Sequence, residues 1–309
     1  MTVVVLGSIN LDLTIEVPHL PVKGETTIGD RFFSAAGGKG ANQAVAVAKL
    51  GVPVRLIGQV GKDTFGKTLI ESLQAQKVNT EGITINPHTY TGIASIVVDS
   101  FGANTIACAG GANNLVRDKE IKQFKKVLPK AKIALLELGI PIATVLSAAR
   151  EAKAHNCLLI LDPAPVSLGL PEELYGLIDI ITPNEIEASQ LVGFTVDGVT
   201  TARQAASSLL QMGVKNVIIT LGSKGSFYSN ATENHWIKPI DVPVVDTVAA
   251  GDAFNGALAA ALASGKKLTE AVQWATVGAA LSVTKNGAQS SLPTKESFQQ
   301  LLNLQTWSD

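Results

Sequence analysis

The stretch Asp246-Thr247-Val248-Ala249-Ala250-Gly251-Asp252-Ala253-Phe254-Asn255-Gly256 sets a carboxylate in the first turn of a helix whose entrance carries little side-chain bulk. Ala249, Ala250 and Gly251 leave backbone N–H groups bare toward an anion, and the helix N-terminus adds partial positive charge at the same point. Asp252 beside them is placed to take a proton from a hydroxyl while the anion is held. A first-turn acid also complements a helix dipole with no catalytic role, and this stretch alone leaves both readings open.

Further polar sets stand at other element ends. Gly37-Gly38-Lys39-Gly40-Ala41-Asn42-Gln43-Ala44 runs into the helix pattern Val45–Leu50, closed by Gly51. Paired glycines there admit a ligand close to the backbone. Lys39 and Asn42, three apart, share one side of the first turn and can donate to hydroxyls or phosphate. Asn10 and Asp12 follow the apolar run Val3–Leu6, at the strand end where open α/β sheets bind ligands, though turn formation also explains them. Asn184-x-x-Glu187 follows the run Ile178–Ile181, and a plain N-cap with a first-turn acid would look the same. The strand pattern Val217–Leu221 ends at Gly222-Ser223-Lys224-Gly225, whose glycines suit either a nucleotide or a hairpin.

One stretch competes. Gly61-Lys62-Asp63-Thr64-Phe65-Gly66-Lys67-Thr68 matches the P-loop pattern G-x-x-x-x-G-K-[ST], between the strand-like run Arg55–Val60 and the helix-like run Leu69–Gln76. Leu158–Asp162 would then pass for the metal-binding strand end of a P-loop NTPase. Asp63 speaks against this, because it sets a negative charge inside a loop meant to cradle phosphates.

The elements that must carry these residues follow from pattern and composition. The 309 residues, 46% hydrophobic with 5% aromatic, suit Val/Ile/Ala-rich strands covered by helices. A net charge of -1 without a basic run gives no reason to expect nucleic acid or membrane as partner. Gly256–Gly265 is apolar but about half a membrane span, and the N-terminus reads as a strand and not a signal. Cys108 and Cys157 have no metal-type spacing and read as reduced core thiols of a cytoplasmic protein. His19, His88, His155 and His235 are scattered without ligand spacing, and no Ser-His-Asp or zinc pattern occurs. Leu13–Ser34 breaks into short alternating pieces, and Thr91–Val98 with Thr105–Cys108 gives a hairpin signature. Elsewhere strands and helices alternate regularly, which predicts a three-layer α/β/α fold with a mostly parallel central sheet.

GGKGANQA, DTVAAGDAFNG and NGAQSSLP, in this order and spacing, resemble the ribokinase (PfkB) family of sugar kinases over essentially the whole chain. The resemblance implies a single ribokinase-like domain over residues 1–309 with a discontinuous β-sheet lid formed by about 12–35 and 90–108. It implies ATP as phosphoryl donor, with magnesium, and D-ribose phosphorylated at its 5-hydroxyl as the first expectation. Asp252 would be the base, with Ala249, Ala250 and Gly251 as the anion cradle. Asn10, Asp12, Gly38, Lys39, Gly40 and Asn42 would hold the sugar. Asn184, Thr220, Gly222, Ser223, Gly225, Gly251 and Thr276 would hold the nucleotide, with Glu187 on magnesium through water. Backbone oxygens of Asp246, Val248, Ser282, Lys285, Gly287 and Ser291 would hold potassium.

The chain departs from the family where a sugar-contacting glutamate usually stands two residues before Pro141; Gly139 occupies that position. Glu137 lies one strand repeat earlier, about 6.6 Å away. The departure keeps 2-deoxyribose, another pentose, a ketohexose or a nucleoside open as acceptor. A P-loop NTPase and a non-catalytic sugar-binding regulator are the more distant alternatives. Lid edge strands could pair two copies into a homodimer.

Overall fold

The computed structural model describes residues 2–166 and 169–307. In chain order the first strands and helices are β1 (Thr2–Leu6), β2 (Asn10–Val17), β3 (Arg31–Gly37), α1 (Lys39–Lys49), β4 (Val54–Gly61), α2 (Thr64–Ala75) and β5 (Asn79–Asn86). Then come β6 (Gly92–Asp99), β7 (Asn104–Ala109), α3 (Asp118–Val127), β8 (Ala131–Glu137), α4 (Ile142–Ala154), β9 (Leu158–Asp162) and α5 (Glu172–Tyr175). The chain continues through β10 (Ile180–Ile181), α6 (Glu185–Val192), α7 (Val199–Gln211), β11 (Asn216–Thr220), β12 (Ser226–Asn230) and β13 (Asn234–Ile237). It ends with α8 (Ala250–Ala263), α9 (Leu268–Ser282) and α10 (Lys295–Leu304).

Alternation along the apolar strands produces the layers. In β1, Val3 and Val5 enter one core with Val45, Leu258 and Val272 of α1, α8 and α9. Val4 and Leu6 enter the opposite core with Phe124, Ala148 and Ala205 of α3, α4 and α7. Successive side chains of a strand point to opposite faces, so a continuous apolar run requires cover on both. The resulting sheet has the order β13-β12-β11-β10-β9-β8-β1-β4-β5, parallel throughout except at β11-β12 and β12-β13. Hence the ends of β1, β9 and β10 open toward one edge of the sheet, where loops collect.

A separate four-stranded sheet, β3-β2-β6-β7, is formed by the early β excursion and the hairpin. Its β2 and β6 run parallel, and β7 returns antiparallel. Neither of its surfaces is fully covered: Ile15 and Phe32, paired across β2 and β3, are exposed on one, and Phe33 and Ile106 on the other.

Small residues let α8 lie unusually close to its neighbours. A Cβ on Gly256 would stand 2.3 Å from the Ala46 Cβ, and one on Gly278 would stand 2.8 Å from that of Ala257. Close approach of α1, α8 and α9 brings the N-termini of α1 and α8 together. Val242–Val245, the approach to α8, belongs to neither sheet; it is tied down by Val245 N donating to the Val283 carbonyl at 2.7 Å. No helix among the described residues is long and apolar enough to cross a membrane.

Candidate active site

Two helix entrances and three strand ends converge. The N-terminus of α1 sits against the end of β1 because glycine is the only residue that fits there. Gly38 has φ 89°, and a Cβ would lie 2.7 Å from the Asn10 backbone nitrogen. Gly40 and Gly7 touch backbone to backbone, a Cβ on Gly40 falling 2.7 Å from the Gly7 Cα. The contact lets Ala41 N donate to the Ser8 carbonyl at 3.0 Å, so α1 begins where β1 ends. Asn10 is held by Asn113, whose Nδ2 donates to Asn10 Oδ1 at 2.7 Å while its Oδ1 accepts from Ile9 N at 2.9 Å.

Asp252 is buried at the start of α8, and α1 supplies its partners. Asn42 Nδ2 donates to Oδ2 at 2.8 Å and Gln43 Nε2 donates to Oδ1 at 3.1 Å. Burial pushes the Asp252 carboxyl above the ordinary aspartate value, opposed by the Lys39 charge and by Asn42 and Gln43. Burial works against the Lys39 charge, but Asp162, Asp252, Glu187 and Glu137 outweigh it and hold the ammonium firmly protonated. Asp12 is pushed up to about 6 by burial and by Asp252. Together they make a basic carboxylate, a fixed cation and donors that can read hydroxyl groups.

The other half of the site is an amide cradle. Ala249 adopts a left-handed conformation, φ 60° and ψ 12°, which turns the chain sharply into α8. Among the described residues, the amides of Ala249, Gly251 and Asp252 have no backbone acceptor, and a Cβ on Gly251 would meet open space. Ala250 differs from expectation: its N–H donates to the Thr247 carbonyl at 3.2 Å, closing the turn, and so faces its own loop. Lys39, Asp162, Thr182, Asn184, Glu187, Thr220, Thr247, Asp252 and Asn255, with Ala249, Ala250 and Gly251, line one cavity of about 220 Å³ here. A cavity that joins a base, a lysine and helix-N-terminal amides can hold a phosphoryl group beside a hydroxyl.

The family model for pfkB family carbohydrate kinases matches residues 1–295. The chain belongs to that family. It is 42% identical over 295 residues to a ribokinase of Haemophilus influenzae, covering 96% of each chain. A deoxyribokinase of Salmonella typhi is 35% identical over 304 residues, 98% of this chain and 99% of that one. The solved ribokinase of Arabidopsis thaliana, complexed with ribose and ATP, superposes with a TM-score of 0.91 at 35% identity, covering 98% of this chain and 99% of that one.

Asn10, Asp12, Gly38, Lys39, Gly40, Asn42 and Asp252 gather at the junction of α1, α8 and the small sheet. Asn184 and Glu187 form a reciprocal cap on α6, Oδ1 accepting from Glu187 N at 2.8 Å and Oε2 from Asn184 N at 2.9 Å. Both also line the cavity, so the cap does not take them away from it. Thr220 lines it too, bridged to Asn184. Gly222, Ser223 and Gly225 form the turn between β11 and β12 and lie outside the cavity walls. A Cβ on Gly225 would run into the Ile237 carbonyl at 2.1 Å, so the hairpin itself demands that glycine. Thr276 is buried with its hydroxyl donating to the Val272 carbonyl at 2.9 Å and likewise does not line the cavity.

Asp246 braces the loop behind the cradle: its carboxylate accepts from Val248 N at 3.0 Å and from Gly287 N at 2.8 Å. The carbonyls of Asp246, Val248, Lys285, Gly287 and Ser291 accept no backbone hydrogen bond among the described residues, whereas that of Ser282 accepts from Lys285 N at 3.3 Å.

The P-loop reading fails on contacts. Asp63 caps α2 with its own carboxylate, accepting from Gly66 N and Thr91 N, both at 2.8 Å. Of the loop amides, those of Gly61, Lys62, Gly66 and Lys67 already have acceptors within the protein. Glu137 does not line the cavity: its two oxygens bond the backbone amides of Ser8 and Gly139. Sequence reasoning passed over Gln43, Asn113 and Asp162. Gln43 stood inside a quoted motif and Asp162 at a strand end, but only the tertiary contact gives them a role.

Proposed function

We propose that the protein transfers the terminal phosphoryl group of ATP to the 5-hydroxyl of D-ribose. One observation carries this: a buried, basic Asp252 lies between unpartnered helix-N-terminal amides and the donors of α1. Asn10, Asp12, Lys39 and Asn42 orient the sugar so that its hydroxyl faces Asp252, which accepts the proton as the oxygen attacks. Asn42 Oδ1 is buried without a partner among the described residues, an acceptor that a sugar hydroxyl would satisfy. The amides of Ala249, Gly251 and Asp252 stabilise the equatorial charge on the phosphoryl group in flight, and Lys39 neutralises charge as it develops. Asn184, Thr220 and Gly251 face the donor phosphates, with Gly222, Ser223, Gly225 and Thr276 further toward the nucleoside.

Magnesium supplies charge neutralisation on the donor phosphates when bound. Glu187, with Oε2 committed to its cap, would offer Oε1 to the magnesium through water. The unspent carbonyls of the 246–248 and 285–291 segments make a set of hard oxygen donors suited to potassium, and a cation there would stiffen the cradle from behind. The four-stranded sheet acts as a lid that excludes water from the transfer. Its exposed Phe32, Phe33 and Ile106 suit pairing of two copies through their lids. Both cysteines are free, in keeping with a reducing cytoplasm; Cys157 is a core thiol, whereas Cys108 is exposed because it lies on β7, the uncovered edge strand of the small sheet.

A second reading is a 2-deoxyribose kinase. It rests on Gly139, where any side chain would collide with Glu137 Oε2 at 2.7 Å and Ser8 Oγ at 2.8 Å, so no contact from that position can select a hydroxyl. ADP release with ATP and a panel of ribose, 2-deoxyribose, other pentoses, fructose and nucleosides is the test. Ribose should give the highest kcat/KM; preference for 2-deoxyribose installs the second reading, and no turnover with any sugar removes both.

A further inference from the structure

The base does not stand alone. Gln43 is fully buried and its Nε2 donates both hydrogens to carboxylates, one to Asp252 Oδ1 at 3.1 Å and one to Asp162 Oδ2 at 2.7 Å. Asp162 is the last residue of β9, 4% exposed, and lines the same cavity as the amide cradle. Two carboxyl groups on one amide nitrogen, both out of water, resist carrying two charges. The charged groups facing Asp162 are Lys39 of α1, Asp252 of α8, Glu187 of α6 and Glu137 of β8, so one cation meets four acids.

We propose that Asp162 is a positioning residue for the transfer: it holds the proton that the pair must retain, and through Gln43 leaves Asp252 as the ionised member. Resting on the kinase reading of the site, this adds a role for a residue that need not touch either substrate. The proton on Asp162 does three things. It lets Gln43 bridge the pair without a second buried charge, and it fixes the amide that orients Asp252 Oδ1. It also keeps the floor of the phosphate cavity free of a negative charge that would repel ATP. Burial first, then Asp252, Glu187 and Glu137, push the Asp162 carboxyl up to about 8 against the pull of Lys39. When that proton leaves, as pH rises, an extra negative charge appears beside the phosphates and the base alike. No atom of Asp162 enters the bond changes, so the reaction balances as before.

The pH dependence of kcat/KM for ATP distinguishes this role from simple packing. The wild-type enzyme should lose activity on an alkaline limb near pH 8, about tenfold per pH unit once a single group ionises. In Asp162→Asn, of the same shape and always uncharged, that limb should vanish, so that the ratio of kcat/KM at pH 9 to that at pH 7 rises about tenfold above the wild-type ratio. An alkaline limb unchanged in position in Asp162→Asn, with activity lowered equally at every pH, overturns the proposal. Should that variant fold poorly, infrared difference spectra of the wild-type protein supply the second readout. A protonated buried carboxyl band should be present at pH 7 and titrate away near pH 8; its absence at pH 7 also overturns the proposal. If the wild-type protein turns over no sugar at all, the kinase reading has failed instead, and the infrared band still reports on Asp162.

Discussion

Residues 61–68 and residues 246–252 are both small-residue entrances to a helix, yet they are opposite in electrostatic state. At the start of α2 the carboxylate of Asp63 turns into the loop, taking Gly66 N, Thr91 N and the Thr91 hydroxyl at 2.7–2.8 Å. Burial works to raise its pKa, but these hydrogen bonds prevail and hold the carboxyl below the ordinary aspartate range. At the start of α8, Asp252 turns away from the cradle toward Asn42 and Gln43, leaving the amides of Ala249, Gly251 and Asp252 exposed to the cavity. The first loop carries its own anion; the second leaves its amides without one. Letter patterns cannot separate these cases, because the difference lies in where one aspartate side chain points.

The contrast breaks most visibly at the carboxylate that faces the acceptor. Replacing Asp252 with Ala should lower kcat by about 10²–10⁴, the usual cost of removing a general base. Sugar binding, followed by calorimetry, should stay close to wild type, since Asn10, Asp12 and Lys39 remain. Near-wild-type turnover in this variant would show that the proton has another destination.

Asp63→Ala attacks the other entrance and should act on folding instead of rate. Loss of an N-cap costs about 0.5–2 kcal/mol, and stranding the Thr91 amide and hydroxyl adds about 1–3 kcal/mol. Urea denaturation at pH 7 should report the deficit, with kcat for the folded enzyme unchanged. The sign with pH follows from the lowered pKa. The stabilisation by Asp63 is present above the ordinary aspartate value and is lost as acid carries the pH down through its folded value. The wild type and the variant should therefore converge in stability in acid. Equal stability at pH 7 would mean that Asp63 does not hold this turn, and the loop would again be open to an anion.

How much of this could be read beforehand depends on sequence distance. Both functional helix entrances were legible because their requirements are local: positive φ at Gly38, close approach at Gly40, open amides at Gly251. The three layers were legible from Val3–Leu6 and its counterparts, where an unbroken apolar run has only one arrangement that buries both faces. What escaped is non-local. Gln43 meets Asp162 across 119 residues, and Asn113 meets Ile9 across 104. No spacing rule reaches that far. Glu137 was measured correctly as one strand repeat away from the expected glutamate, but its direction was set by two backbone amides at the end of β1 and β8. The Ala250 amide was lost to the cradle for a short-range reason, the left-handed Ala249 that closes a turn onto Thr247; an alanine at positive φ gives no sign of itself in sequence.

The smallest expected effect falls on Lys67, the lysine that a P-loop would use to grip phosphate. Its side chain is 78% exposed and its ammonium lies 3.9 Å from Glu71, one turn along α2. An exposed i,i+4 pair contributes about 0.3–0.5 kcal/mol. Lys67→Ala should therefore leave kcat and the KM for ATP at wild-type values and shift the urea midpoint barely beyond error. Steady-state kinetics with ribose and ATP, run beside Asp252→Ala, puts the two entrances in a single assay. A tenfold or greater fall in kcat with Lys67→Ala would reverse the assignment, because an exposed ammonium outside the cavity wall is screened by solvent and salt.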